Sequence, residues 1–336
     1  MRAIGYQHTG SIDRPDALLD IELPYPIASG HDVLVEVKAV SVNPVDTKMR
    51  SRRPAKPGEY EVLGYDASGV VQAVGADVTR FKVGDAVYYA GSVVRPGSNA
   101  QLQLVDERIV SLKPQQLSFA QAAAVPLTAL TAWEALFDNM QVEQGVKGGA
   151  RAIVIIGGAG GVGSIAIQLA RQLTDLIVIA SASRAETQAW VKKMGAHHVI
   201  DHRQNMAAQI AALDIGEPAF VLVTTHSNQH AEDVASFIAP QGKLSIIEDL
   251  DNISHFKAKS VSIHWEFMFT RSMFATADMA MQGEILTNVA KLLDEGKLVT
   301  TLHTRLSPIN AATLIQAHRQ IESATTIGKV VIEDFS

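Results

Sequence analysis

From Val33 to Val37, within "HDVLVEVKAVSVNP", apolar and polar residues alternate with a period of two. That period predicts a strand with one buried face. "SGVVQAVGADVTRFKVGDAVYY", Ser68–Tyr89, continues in the same style, as short strand-like runs broken by glycine turns. Around Pro126 the pattern changes. Runs that are apolar throughout (Ile153–Ile156, Leu176–Ala180, Phe220–Val223 and Leu244–Ile247) now alternate with helical segments. A strand apolar on both faces has to be covered on both, so this alternation predicts a parallel sheet flanked by helices. The last stretch returns to a helix, with Ser307-Pro308 as its N-cap and first-turn pair, and to the strand "KVVIE" after Gly328. The predicted fold class is α/β: a β-rich domain from residues 1–125 rejoined by 266–336, and a doubly wound nucleotide-binding domain over 126–265, with the active cleft between them.

Composition narrows the function classes. At 336 residues the chain can fill two cores, and 47% apolar residues is ordinary for a soluble globular protein. A formal net charge of -6 argues against a nucleic-acid partner, which calls for a basic face. Cysteine is absent, which removes disulfides, thiolate nucleophiles and thiolate-bound metals together. "MRAIGYQHTGSIDRPD" has no apolar core of signal-peptide length, and no uncharged run is long enough to span a bilayer. The expectation is a cytoplasmic protein with no membrane partner.

The chemistry starts at "IVIIGGAGGVGSIAIQLAR", Ile153–Arg171. The spacing Gly158-x-Gly160-x-x-Gly163, with Gly161 and Val162 between, fits the dinucleotide fingerprint after a strand and before a helix. In that fingerprint the first glycine makes the turn, the second lets backbone approach the pyrophosphate and the third lets the helix pack on the strand. The helix N-terminus offers free N–H groups to phosphate. About twenty residues past such a loop, NAD sites place an Asp or Glu on the ribose. Here "IASASRAET" presents Ser181, Ser183 and Arg184, with no acid before Glu186. Hydroxyls beside a guanidinium suit a 2′-phosphate, so NADP(H) is expected over NAD(H). The alternative is that Ser183 caps the next helix and Arg184 is solvated.

Three segments in order, "SVNPVDTKMR" (Ser41–Arg50), "LGYDASGVVQAVG" (Leu63–Gly75) and "AAAVPLTALTAWEAL" (Ala122–Leu136), are followed by the glycine loop. With "VGDAVYY" and the late "IGKVVIE" they resemble the medium-chain dehydrogenase/reductase superfamily, and within it the zinc-independent quinone oxidoreductase and enone reductase branch. The resemblance covers nearly the whole chain and implies a GroES-like catalytic domain plus a Rossmann domain. It also implies where zinc ligands would fall in the alcohol dehydrogenases of that superfamily. The first ligand Cys is replaced by Asn43, Gly-His-Glu by Gly64-Tyr65-Asp66, and the third ligand falls near Thr128. The proton-relay hydroxyl falls on Val45, and "YYAGSVVRPGSNAQ" has no four-cysteine lobe. Zinc catalysis needs three protein ligands, so no metal is expected, and the eleven histidines show no ligand spacing.

Hydride transfer to a quinone, or to the β-carbon of an α,β-unsaturated carbonyl, needs no metal. It needs a fixed distance to the nicotinamide and donors at the developing oxyanion. The catalytic candidates are Asn43, as an amide donor, and Tyr65, as a phenol donor. Each has a structural alternative, a turn at Asn43-Pro44 and simple packing for Tyr65. The resemblance further implies Lys48 near the nicotinamide ribose, Thr128 near the nicotinamide and His202 at the adenosine end. Two other functions stay open. An enoyl-thioester reductase would use "MRSRRPAK", Met49–Lys56, as a basic patch for carrier phosphates; a non-catalytic NADPH-binding protein would use the loop alone. "KSVSIHWEFMF", Lys259–Phe269, resembles the family's sixth strand, the edge that pairs in a homodimer, unless Trp265 and Phe267 cover that edge themselves.

Overall fold

The computed structural model describes residues 1–335, and the chain divides into two compact units. One comprises Met1–Leu127 with the residues from Phe269 onward; the other is Thr128–Met268.

The first unit is β-rich and GroES-like. Its spine is the strand Asp32–Val42, in which Val33, Val35 and Val37 are buried and the residues between them half-buried, as the period of two requires. That strand pairs antiparallel with Ala67–Val74, Leu102–Asp106 and Lys329–Glu333. The last of these comes from the far end of the sequence, so the C-terminal segment completes the sheet opened by the N-terminal one. Leu302–Leu306, Ala86–Tyr89 and Val110–Leu112 extend it to seven strands. A smaller sheet carries Leu19–Glu22, Arg2–Tyr6 and Glu61–Val62. One expectation is corrected here. The late helix runs Ala311–Glu322, and its N-cap is Asn310, whose carboxamide oxygen accepts from the Thr313 N–H at 2.9 Å. Asn310 supplies the side-chain acceptor that the first turn needs, so Ser307-Pro308 stays in the connection before it.

The second unit is a doubly wound Rossmann fold. Six parallel strands lie in the order His198–Ile200, Ile177–Ser181, Ala150–Ile156, Pro218–Val223, Lys243–Ile246, Ser262–Trp265, which is 3-2-1-4-5-6 by appearance in the chain. Val154, Ile156, Ile179, Val221, Val223, Leu244 and Ile246 pack against Val234 and Phe237 of the helix Ser227–Phe237. These strands are apolar on both faces because both faces are covered. At the outer edge, Ser262–Trp265 pairs, among the described residues, with Lys243–Ile246 alone. Trp265 is 55% exposed and Phe267 44%. No helix among the described residues is long and apolar enough to cross a membrane.

Candidate functional site

In the Rossmann unit, the strand Ala150–Ile156 stops where the backbone enters the left-handed region, at Gly157 with φ +78°. The turn belongs to Gly157 and not to Gly158, a correction the doubled glycine in "IIGG" could have signalled. A Cβ on Gly157 would overlap the Thr224 hydroxyl. Gly158 is the packing glycine: its Cβ would come within 2.9 Å of the Ala180 Cβ on the neighbouring strand. Gly163 is the tightest, because a Cβ there would lie 2.6 Å from the Gly158 Cα and overlap the Gly157 carbonyl. Gly160, with only the Gly157 carbonyl oxygen at 3.5 Å, is the roomy position and serves as N-cap of the helix Gly161–Leu173. The N–H groups of Gly161 and Val162 open that helix, where no intrahelical acceptor exists for them. Close approach of loop, helix and strand leaves a backbone cradle of the kind that holds a pyrophosphate.

The expected nucleotide residues do not all face the same way. Ser181 is buried, and its hydroxyl accepts the Gly157 N–H at 3.0 Å, so it supports the turn rather than standing at the surface. Ser183 is half-buried and does not cap the following helix. Arg184 is the N-cap of Ala185–Met194, its N–H donating to the Thr187 hydroxyl at 3.1 Å, and its residue is exposed. His202 lies half-buried edge-on to His230, with ring centroids 6.0 Å apart, and its Nδ1 has no hydrogen-bond partner. Burial holds both imidazoles below their ordinary pKa. Arg203, absent from the sequence reading, donates from Nη2 to the Ser183 carbonyl at 2.5 Å.

In the GroES-like unit, Asn43 caps the helix Pro44–Arg52, and its own N–H donates to Asp46 Oδ2 at 2.7 Å. Asn43 is 1% exposed, and its whole carboxamide is engaged. Nδ2 donates to Asp66 Oδ2 at 2.9 Å and to the Ser41 carbonyl at 3.3 Å, while Oδ1 accepts from Lys329 Nζ. This corrects the expectation of a spare amide N–H for substrate: both hydrogens already have acceptors inside the fold. Lys329 also donates to Asp66 Oδ2 at 2.9 Å, and Asp66 Oδ1 accepts the Leu127 N–H at 2.8 Å. Asp46 Oδ1 accepts the Gly64 N–H at 3.0 Å, so the segment Gly64-Tyr65-Asp66 is pinned at both ends. Burial raises both carboxyls, Asp46 to about 7, with the Lys329 ammonium pulling each back down. The signal for this hub was a lysine opening the apolar strand "KVVIE", and an Asp three residues after Asn43.

Tyr65 is buried too. Its ring meets Phe269 edge-on at 5.4 Å, and its hydroxyl accepts from Arg53 Nη2 at 2.8 Å. Burial pushes the phenol above its ordinary value, and the Arg53 guanidinium opposes that rise. Arg53 also pairs with Glu61 and donates to the Val93 carbonyl. Arg50, buried as well, pairs with Glu322 and donates from Nε to His318 Nδ1 at 3.4 Å. Of the four cations in Met49–Lys56, Arg50 is buried and Arg53 is engaged by Glu61 and Tyr65, while Arg52 and Lys56 are exposed. Lys48 is exposed on the helix Pro44–Arg52; Thr128 is buried in the helix Pro126–Trp133.

At the positions where the resemblance puts the ligands of a zinc dehydrogenase stand a carboxamide bonded to a resident ammonium, a phenol and a hydroxyl. Thiolate and imidazole donors are missing from that set, and Lys329 already neutralises the carboxylate beside it, so these residues do not fit a zinc ion. Among the described residues no group of three or more His, Cys, Asp or Glu could hold a metal.

Residues 29–127 match the alcohol dehydrogenase GroES-like domain family, and residues 194–332 the zinc-binding dehydrogenase family. A zinc-type alcohol dehydrogenase-like protein of Staphylococcus aureus is 37% identical over 337 residues, 99% of each chain. The chain belongs to the alcohol dehydrogenase-like medium-chain dehydrogenase/reductase superfamily. It is an oxidoreductase of that family. It is also similar to a quinone oxidoreductase of Lama guanicoe, 31% identical over 74% of this chain and 72% of the other. A 2-methylene-furan-3-one reductase of Solanum lycopersicum is 29% identical over 99% of this chain and 79% of the other. Among solved structures, a putative zinc-dependent alcohol dehydrogenase from Rhizobium etli superposes with a TM-score of 0.98 at 59% identity, covering 100% and 98% of the two chains. The nucleotide-binding unit of such a family takes a nicotinamide cofactor.

Proposed function

We propose that this chain is an NADPH-dependent reductase of quinones or α,β-unsaturated carbonyls that works without zinc. One observation carries the reading: Lys329 donates to both Asn43 and Asp66 where a zinc dehydrogenase keeps its metal-binding residues. A dehydrogenase stripped of its Lewis acid loses the means to bind an alkoxide. Acceptors that are already electron-poor remain open to it. The similarity to a quinone oxidoreductase and a furanone reductase supports the same choice.

The reduced nicotinamide supplies the hydride when bound. Around it, Gly161 and Val162 would donate backbone N–H groups to the pyrophosphate, and Ser183 and Arg184 would receive the 2′-phosphate. Lys48 would lie by the nicotinamide ribose, Thr128 by the nicotinamide and His202 at the adenosine end. Tyr65 is the proton donor we assign to the developing oxyanion, held by the Arg53 guanidinium that bonds its hydroxyl. The enoyl-thioester reading keeps only Arg52 and Lys56 as exposed cations of Met49–Lys56, because Arg50 and Arg53 are engaged by Glu322 and Glu61. We further propose a homodimer paired through the exposed edge Ser262–Trp265; a monomer mass by light scattering at micromolar concentration would argue against it.

The test is NADPH oxidation against a panel of small quinones, simple enones and an enoyl thioester, with and without chelator. Turnover of quinones or enones that survives chelation, by protein without stoichiometric zinc, is the expected result. One tightly bound zinc per chain, or no turnover with any acceptor, would overturn the assignment.

A further inference from the structure

The strands Ile177–Ser181 and His198–Ile200 run parallel, with Ser181 opposite Ile200, and the Ala182 N–H donates to the Ile200 carbonyl at 2.9 Å. The residues that follow them therefore leave the carboxyl edge of the sheet side by side: Ser183-Arg184 from one strand, Asp201-His202-Arg203 from the other. Arg203 is fixed by three contacts. Its Nε and Nη2 clamp the Asp201 carboxylate at 3.1 and 2.8 Å, and Nη2 reaches the Ser183 carbonyl at 2.5 Å. Among the described residues Nη1 has no hydrogen-bond partner, and the side chain is 62% exposed. An arginine held on one edge of its fork, with two N–H donors left over on the other, is a preorganised anion receptor.

We propose that Arg203 is a second binding residue for the 2′-phosphate of an adenosine nucleotide, acting beside Arg184. The inference rests on the NADPH reading above. Asp201 does not defeat it, because its charge is matched one-for-one by Arg203 and its carboxyl is held down to about 2 by that pairing. What remains for the phosphate is a pair of directed donors whose orientation the clamp has already set. Phosphate accepts such a fork well, and lysine in the same place could not grip carboxylate and phosphate together. The competing explanation is that Arg203 only staples two loops.

Titration of the full-length protein with adenosine 2′,5′-bisphosphate, 5′-AMP, NADPH and NADH separates these. Arg203→Ala should weaken adenosine 2′,5′-bisphosphate and NADPH about tenfold, and leave 5′-AMP and NADH within about twofold. Arg203→Lys should recover part of that loss. Asp201→Asn, which spares the guanidinium but loosens the clamp that orients it, should weaken NADPH by less than Arg203→Ala does and leave NADH within about twofold. An Arg203→Ala protein that loses 5′-AMP and the bisphosphate equally is a broken staple, and one that loses neither has no subsite at Arg203; either result overturns the inference. If Arg184→Ala discriminates between the nucleotides while Arg203→Ala does not, the inference falls and the NADPH reading stands. A wild-type protein that binds 5′-AMP as tightly as the bisphosphate, and NADH as tightly as NADPH, overturns both.

Discussion

Asp66 meets Lys329 at 2.9 Å with side chains 0% and 3% exposed; Asp201 meets Arg203 at 2.8 Å with the arginine 62% exposed. The two pairs are alike in chemistry and distance, and burial separates their roles. Around Asp66 every polar atom has to find a partner inside the protein, because water is not there to replace one. The result is a closed hub that ties the start of the helix Pro44–Arg52, the segment Gly64-Tyr65-Asp66 and the strand Lys329–Glu333 together. Around Asp201 water is at hand, so the ion pair contributes little stability and its cation keeps donors for a ligand. Buried charge here fixes geometry, and exposed charge is free to recognise.

The largest expected effect breaks the buried pair. Lys329→Met leaves the Asp66 carboxylate buried without a cation, at a cost of about 3–5 kcal/mol in unfolding free energy. The double variant Lys329→Met/Asp66→Asn should recover a good part of it, and a denaturant double-mutant cycle reads the difference. Additive losses would mean that the two residues do not share a hub.

On the exposed side, Arg184→Ala removes a charge-assisted contact, on the order of 1.5–3 kcal/mol, so NADPH should bind roughly tenfold to a hundredfold more weakly while NADH is unchanged. Ser183→Asp should extend the shift by repelling the phosphate and offering NADH's ribose an acceptor. Equal loss of both cofactors in isothermal titration would make Arg184 a fold residue, which its place as helix N-cap allows.

The glycine loop gives an internal control of similar size. Gly163→Ala forces a Cβ to within 2.6 Å of the Gly158 Cα, an overpacking worth about 1–3 kcal/mol, and should reduce affinity for both nucleotides alike. Gly160→Ala, whose Cβ meets only the Gly157 carbonyl oxygen at 3.5 Å, should leave stability nearly untouched. Matching effects at the two positions would contradict this division of roles.

A last test sharpens the account of the buried unit through pH. Asp46 keeps its proton in the fold up to about 7 against an ordinary 3.8, so its contribution to stability falls as pH rises across that window, by at most about 1.4 kcal/mol per unit. His318 is depressed from 6.5 to about 3 by burial beside Arg50, so its contribution is complete above 6.5 and is lost as pH falls toward 3. The two slopes oppose each other between about 4 and 6.5. Asp46→Asn should therefore make stability rise more steeply with pH in that range, and His318→Gln should make it fall. Denaturation midpoints from pH 4.5 to 7.5 that run parallel in all three proteins would show that neither group titrates as its burial implies.

Local pattern made much of this protein legible. The period of two in Val33–Val37 and the unbroken apolar runs from Ile153 onward give the two kinds of sheet, because side-chain direction along a strand is a local property. The glycine spacing gave the phosphate cradle for the same reason, though it placed the turn one residue late. The edge strand with Trp265 was visible as an apolar run after the fifth strand.

What the sequence could not settle was direction and partner. Asn43 and Tyr65 are where motif order puts them, yet whether a carboxamide turns toward a ligand or toward Lys329 depends on a strand that arrives 286 residues later. The placing of Ser181 and of Arg203 has a like cause. One is drawn under the glycine turn by the Gly157 N–H and the other is brought to Ser183 by the parallel pairing of two strands. Periodicity and capping are decided among residues a few positions apart, so the chain carries them in its order. The partners of buried polar atoms are decided by which distant segments the fold packs together, and only the tertiary structure holds that information.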